Sequence, residues 1–499
     1  MQRRFGWFAL ALALAAEPGC SSAPPAPTFT IGVLEDPAGL DPARHDDAAS
    51  LVVSKEIFQT LVQLRPGTFD VEPDAALSWK VSPDARTWTF RLQPGLQFSD
   101  GTPLDAAAVK LNFDRWRLTK DPNHDDTPYP AYAQYFGGFD DASQITSVDA
   151  PDPATVIIRT KDAFAPLLRD LTLPSFSIGS PKAIGYSTAA FDELPVGSGR
   201  FAVQDWWPND HIAMNVNPHW HGPQPPVASL VVRFIPDPPT SVLSLEKDDI
   251  DVLTDPTPQI ARDIASRSGM RLFHGPSDSV CYLGFDLSRP PFDDERARRA
   301  IAAALDPVAI AKLFGSSEVG PAGGWLPPGM LGSDAAIEPL RRDVPDAKAL
   351  LAGANFPHGP VSLFYPNLAS ALVPDPGGTA QLIAAELAEA GLEVDVQPAP
   401  GTAFPVASGG NPQLQIAVAR ATSGDPNEAF APLALTWNDA QFAALLDAGR
   451  KAPDDASRAG IYRSAQALVR QHVAAIPLVH PFRWSAAVST VDPKVVALP

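Results

Sequence analysis

The sequence predicts a mixed α/β fold with more than one domain, and three observations carry that expectation. Residues 361–396 read as strand, helix and strand in succession, the signature of a βαβ unit. Alternating apolar stretches of strand length recur on both sides of it. The chain has 499 residues, 45% of them apolar, which is two to four domains' worth of chain with ample core. No repeat of about 20–50 residues is present, which sets solenoids and propellers aside.

Taken in order, Thr28–Leu34 alternates and reads as a first strand. Trp88–Leu92 is a second, followed by the turn Ser99-Asp100-Gly101. Thr102 then stands as a helix N-cap before Pro103, with Asp105 in the first turn. The helix carries Val109, Phe113 and Trp116 as one buried stripe. Thr155–Arg159 and Ser229–Ile235 are further strands. Between them, Gly197-Ser198-Gly199 lacks the spacing of a nucleophile elbow and reads as a tight turn entering a strand. Asp293, Asp294 and Glu295 open a helix whose stripe is Ala297, Ile301 and Leu305, with Arg296, Arg298 and Arg299 on a solvated face.

The βαβ unit consists of strand Val361–Tyr365, a helix with Ile383, Leu387 and Ala390 inward and Gly391 as its cap, and strand Leu392–Val396. Its strands are expected to be parallel. A third strand runs through Leu414, Ile416 and Val418, and the loop Arg420–Pro426 follows it. Open α/β sheets bind ligands beyond the carboxyl ends of their strands, so this loop is the binding candidate that the residues themselves point to.

Charge and motifs narrow the function. Lys plus Arg number 38 and Asp plus Glu 57, a formal net charge of −19. Such a surface repels phosphate backbones, so no nucleic-acid partner is expected. Two cysteines exclude a disulfide scaffold and a Cys-rich metal site. His219 and His221 flank Trp220 without a third ligand in view, and read as a surface loop. No metal or phosphate-cradling motif is present, so neither cofactor nor metal is expected, and nothing commits the chain to catalysis. At the N-terminus, Arg3 and Arg4 precede the 12-residue apolar run Phe5–Ala16. That is too short to span a membrane at about 20 residues and is the length of a signal-peptide core. Cys20 follows Gly19 and resembles a bacterial lipoprotein cleavage site, with Glu17 where Leu is usual. An ordinary signal-peptidase site, or a disulfide from Cys20 to Cys281, are the alternatives. Residues 1–19 are read as a signal peptide and 20–27 as a Pro-rich tether.

Several segments together resemble one family, the extracytoplasmic solute-binding proteins of the peptide/nickel class (family 5), which serve ABC importers. Leu40-Asp41-Pro42 is similar to its "LDP" opening, and Phe98–Leu104 to its signature around Ser-Asp-Gly-Thr-Pro. Pro195–Phe201 resembles "PVGTGPY" with Arg200 in place of Pro, and Asn217–Trp220 resembles "NP-x-YW". Tyr282–Asp286, Pro290–Ala300 and Leu326–Met330 resemble further family segments, in the family's order.

The resemblance implies a two-lobed periplasmic-binding-protein-like fold (class II, cluster C) with an extra domain inserted in lobe I. Lobe I would comprise 28–45, 165–275 and 476–499, the extra domain 46–164, and lobe II 276–475. The chain would cross between lobes near Tyr282 and near residue 475. The implied function is the substrate-binding component of an ABC importer, capturing short peptides or similar solutes and delivering them to a permease and ATPase. The protein would be monomeric, extracytoplasmic, in the periplasm or on the outer membrane face, and lipid-anchored through Cys20. Nickel–chelator, sugar or opine-like ligands stay open, as does a secreted hydrolase using Ser198. In peptide binders of this kind an Asp of lobe II holds the ligand ammonium, and Asp425 matches that segment. Asp425 also reads as an N-cap before Pro426, with Glu428 completing a capping box. Ligand contacts are placed at Asp425, Gly424, Ser423, Arg420, Leu34, Glu35, Tyr282, His480 and Phe482.

Overall fold

The computed structural model describes residues 27–125, 129–275, 277–314, 319–354, 356, 359–399 and 413–491. The expected leader, Cys20 and all of the tether except Pro27 lie outside the described residues. Two lobes are built on separate sheets. The first lobe's sheet has seven strands, ordered Met270–Gly275, Arg483–Val488, Val252–Thr254, Thr28–Val33, Ser229–Phe234, His211–Val216 and Phe201–Trp207. Thr28–Val33 is central and parallel to both neighbours. The second lobe's sheet has five, ordered Val394–Ala399, Val361–Pro366, Gln413–Arg420, Ser279–Phe285 and Ala475–Val479. The extra domain is an antiparallel sheet of Ala76–Val81, Thr87–Leu92, Thr155–Thr160 and Ile145–Asp152, packed with helix Ala106–Arg117 in one apolar core.

The βαβ unit forms as expected. Val361–Pro366 and Val394–Ala399 are adjacent and parallel, and Pro376–Ala390 crosses between them. Gly391 ends that helix at φ 98°, a left-handed conformation that glycine adopts without penalty.

Two local readings are corrected. The helix expected from Thr102 begins at Ala106, and its cap is Asp105, whose carboxylate accepts from Ala108 N at 2.9 Å. Thr102 is held elsewhere, with its N–H and hydroxyl both donating to Asp100. Val109, Phe113 and Trp116 are buried, as the stripe requires. On helix Glu295–Ala304, Arg298 does not join the solvated face. It is buried, donating to the carbonyls of His472, Val473 and Phe292 at 2.7–3.0 Å. His472 ends helix Asp455–His472, and the carbonyls at a helix C-terminus lack intrahelical partners and attract a cation.

The "LDP" aspartate has a structural task. Asp41 and Arg115 form a bidentate pair at 2.8 and 2.9 Å, with side-chain exposures of 0% and 1%. It ties the segment after the first strand to helix Ala106–Arg117. Removing one partner of such a pair leaves a buried uncompensated charge, a loss of about 3–5 kcal/mol. Asp41→Ala is therefore expected to lower unfolding free energy by about 3–5 kcal/mol in urea titrations, and a loss below about 1 kcal/mol would show the pair to be dispensable.

Candidate ligand-binding cleft

Strand register places the hinge. Gly275 pairs with Arg483 at the end of the first sheet, and Cys281 pairs with Val479 at the start of the second. The chain therefore crosses between lobes just before Ser279 and again at 480–482, a few residues from the expected positions. The two crossings lie side by side, and His480 Nδ1 is 3.3 Å from Ser279 O. Burial pulls the His480 pKa down to about 4, so its ring is neutral at pH 7.

Charged side chains from four elements face this hinge. Arg483 pairs with Asp255 at 3.0 Å. Arg420, at the end of strand Gln413–Arg420, stands 3.7 Å from Asp278 and is half exposed. Lys55 projects from the last turn of helix Ala48–Ile57. The C-terminus of that helix is closed by the Gly-Ser-Gly turn: Gly199 N donates to Ile57 O at 2.7 Å, and a Cβ at Gly199 would come within 2.4 Å of Ile57 C. This close approach of backbone to backbone explains both glycines. Ser198 Oγ is buried without a hydrogen-bond partner, so no base activates it as a nucleophile.

A second cluster, where the extra domain meets the second lobe, is acidic. Glu428 accepts from the Tyr135 hydroxyl of the extra domain at 2.7 Å, and from Ser423 N and Oγ at 3.0 and 2.9 Å. Asp170 lies buried beside it. Burial, then the charges of Asp425 and Glu428, hold the Asp170 carboxyl well above the usual range. Burial also raises Glu428. The extra domain and the segment directly after it meet the second lobe here in other ways too. Arg169 pairs with Asp455 at 3.0 Å, and Phe69 packs in the second lobe's core with Met330 and Phe430.

Asp425 takes the N-cap position, accepting from Asn427 N at 3.0 Å through Oδ1. The capping box is not closed, because Glu428 reaches back to Ser423 instead. The other Asp425 oxygen accepts from Arg458 Nη2 at 2.5 Å, and both side chains are 2% exposed. A ligand ammonium bound there would have to displace Arg458. That leaves a buried guanidinium unpaired at about 3–5 kcal/mol, against about 1.5–3 kcal/mol for the new charged hydrogen bond. The Asp425–Arg458 pair is thus the tighter partnership in this structure, and it holds the loop that carries Ser423 and Glu428.

The remaining expected contacts divide. Arg420, His480 and Phe482 gather at the hinge, with Phe482 stacked on His274 at 4.4 Å. Gly424 turns the loop at φ 73°, where a Cβ would stand 3.1 Å from the Phe69 ring. Tyr282 packs into the second lobe's core against Trp325, ring centroids 4.8 Å apart. Leu34 joins the apolar cluster of the first lobe, and Glu35 is exposed. Lys55, Asp278, Arg483, Asp170, Tyr135 and Arg458 were not singled out from sequence, and Glu428 only as part of a capping box. Nothing local to Lys55 in the sequence marks it as facing Arg483. His219 and His221 lie in an irregular segment, and no group of three His, Cys, Asp or Glu among the described residues could hold a metal. Cys281 is buried and free.

Two sheet-based lobes joined by paired crossings, with charged groups lining the space between, define a two-lobed binding protein of the periplasmic type. The sequence pattern described as "Bacterial extracellular solute-binding proteins, family 5 Middle" matches residues 70–441, and the chain belongs to that family. It is 28% identical to Di/tripeptide-binding protein 4 of Pseudomonas aeruginosa over 98% of this chain and 95% of that one. It is 26% identical to Heme-binding protein A of Haemophilus influenzae, covering 92% and 91%. The structure of HbpA2 from Haemophilus parasuis superposes with a TM-score of 0.83 at 23% identity, over 93% and 96% of the two chains.

The acidic cluster carries a pH signature. An acid whose folded pKa exceeds its unfolded value of about 4 destabilises the fold increasingly as pH rises through the folded value, and not at all below the unfolded one. Asp170→Asn is therefore expected to melt above wild type near pH 8, with the difference closing toward pH 4. Thermal unfolding across that range checks it, and a gap independent of pH would remove Asp170 as its source.

Proposed function

We propose that this protein is the substrate-capturing component of an ABC importer, and that it takes up short peptides or similar small zwitterionic solutes outside the cytoplasm. The observation that carries this reading is the presence, where the lobes and the extra domain meet, of an acidic set at Asp170 and Glu428 beside Ser423 together with a cationic set at Lys55, Arg420 and Arg483. A solute with an ammonium at one end and a carboxylate at the other matches both. The di/tripeptide-binding relative supports the same class. Ligand bridging the lobes would favour the closed form over the open one by its differential affinity, and a permease would read the closed form. Delivery to a permease and ATPase by a monomer, and the lobe boundaries set out from the resemblance with 476–479 moved to lobe II, belong to this proposal. Among the described residues no helix is long and apolar enough to cross a membrane; attachment would come from lipid on Cys20.

Calorimetric titration with a pool of neutral di- and tripeptides is expected to show micromolar or tighter binding, with N-acetylated peptides at least tenfold weaker, about 1.4 kcal/mol. No binding by any peptide would end the peptide reading. In cells, palmitate labelling that is lost in Cys20→Ser is expected, and a mature N-terminus other than Cys20 would place the protein free of the membrane.

A further inference from the structure

The charges at the hinge do not balance internally. Arg483 has Asp255 at 3.0 Å, and Arg420 has Asp278 at 3.7 Å. Lys55 has no carboxylate within ion-pair distance among the described residues. Yet it is no ordinary surface lysine. Solvent reaches its side chain, while protein encloses it closely enough that desolvation, followed by repulsion from Arg483, pulls its pKa down to about 8. The groups facing it are Arg483, Asp255 and Asp278 from the first-lobe strands and the crossing, with Glu56 beside it on its own helix. Glu56 is already engaged by Arg200 at 2.7 Å. An ammonium that is accessible, partly desolvated and unmatched in a cleft is stabilised by an anion arriving from solution.

We propose that Lys55 is the anion-recognising residue of the cleft, and that the ligand carries a carboxylate which the Lys55 ammonium holds beside Arg483. The inference rests on reading the cleft as the ligand site, and it determines ligand chemistry: an esterified or amidated ligand loses this contact. The carboxylate is that of a peptide C-terminus or of a carboxylated amino-acid conjugate of the opine type, and the two sources are separable. Lys55 also sits where the carbonyls at the end of helix Ala48–Ile57 attract a cation, a structural role that arginine shares.

The test uses the mature full-length protein as wild type, Lys55→Met and Lys55→Arg, with Lys55→Gln as a second neutral variant should the Met form melt early. The probes are a pool of neutral di- and tripeptides as free acids, the same pool as C-terminal amides, and a set of opine-type acids. Wild type is expected to prefer acids to amides by tenfold or more. Lys55→Met is expected to lose that preference while keeping its ligand-free melting temperature, and Lys55→Arg to retain most of it. Because the contact needs the protonated Lys55 amine, wild-type affinity for acids is expected to fall more steeply than that of Lys55→Arg as pH rises through about 8, the shared part of the fall being the titration of the peptide's own α-amino group. If peptides bind and acid and amide are equal in wild type, or the neutral variants match wild type, the inference is overturned and the peptide reading stands. If no peptide binds but opine-type acids bind in a Lys55-dependent way, the peptide reading falls and the inference stands. If no carboxylate probe binds, both fall.

Discussion

The cleft depends on two short stretches of chain lying side by side between the lobes. Because the crossings before Ser279 and at 480–482 are neighbours, the lobes share one hinge line rather than two separate tethers. The contact of His480 with the Ser279 carbonyl joins them, and a ring held neutral by burial makes that contact without adding charge. The pairs of Arg483 with Asp255 and Arg420 with Asp278 then sit on either side of the line, one to each lobe. Motion about the hinge changes the distance between lobes while leaving these pairs within their own lobes.

Away from the hinge, charge withdrawn from water decides what each side chain can do. Asp41 with Arg115, and Asp425 with Arg458, are buried pairs whose charges are matched to each other. They hold segments in place. Asp170, Glu428 and Lys55 are different, because burial disfavours their charged forms and no partner of opposite sign fully compensates. Groups in that condition are the ones whose free energy changes most when a charged solute arrives. The contact of Tyr135 with Glu428 places the acidic set where the extra domain and the second lobe meet.

Much of the fold was legible locally. The βαβ unit could be read because Ile383, Leu387 and Ala390 are spaced for a helix and Gly391 marks its end, all within one short stretch. The helix start was misplaced because Thr102 and Asp105 are both good caps, and only the tertiary position of Asp100 takes Thr102 away. Arg298 was misread because adjacent acids suggested a solvated face, whereas the carbonyls that bury it belong to residues 472 and 473. The cleft was legible least. The loop at 420–426 could be located from its strand, but Asp425 meets Arg458 across 33 residues, and Lys55 meets Arg483 across most of the chain. Sequence spacing carries no information on such encounters.

The strand topology also bears on how the chain reaches this state. Thr28–Val33 must find Ser229–Phe234, and Arg483–Val488 inserts between Val252–Thr254 and Met270–Gly275. The first lobe therefore has no finished sheet until Arg483–Val488 is available, and Ala475–Val479 closes the edge of the second. Pairings so distant carry a large loop-closure penalty before they return any stabilisation, which slows folding. A chain lacking its last segment would expose Val252–Thr254 and Met270–Gly275 as unpaired edges, a template for aggregation. Strand Arg483–Val488 is thus the element whose arrival buries the edges that the preceding segments leave open.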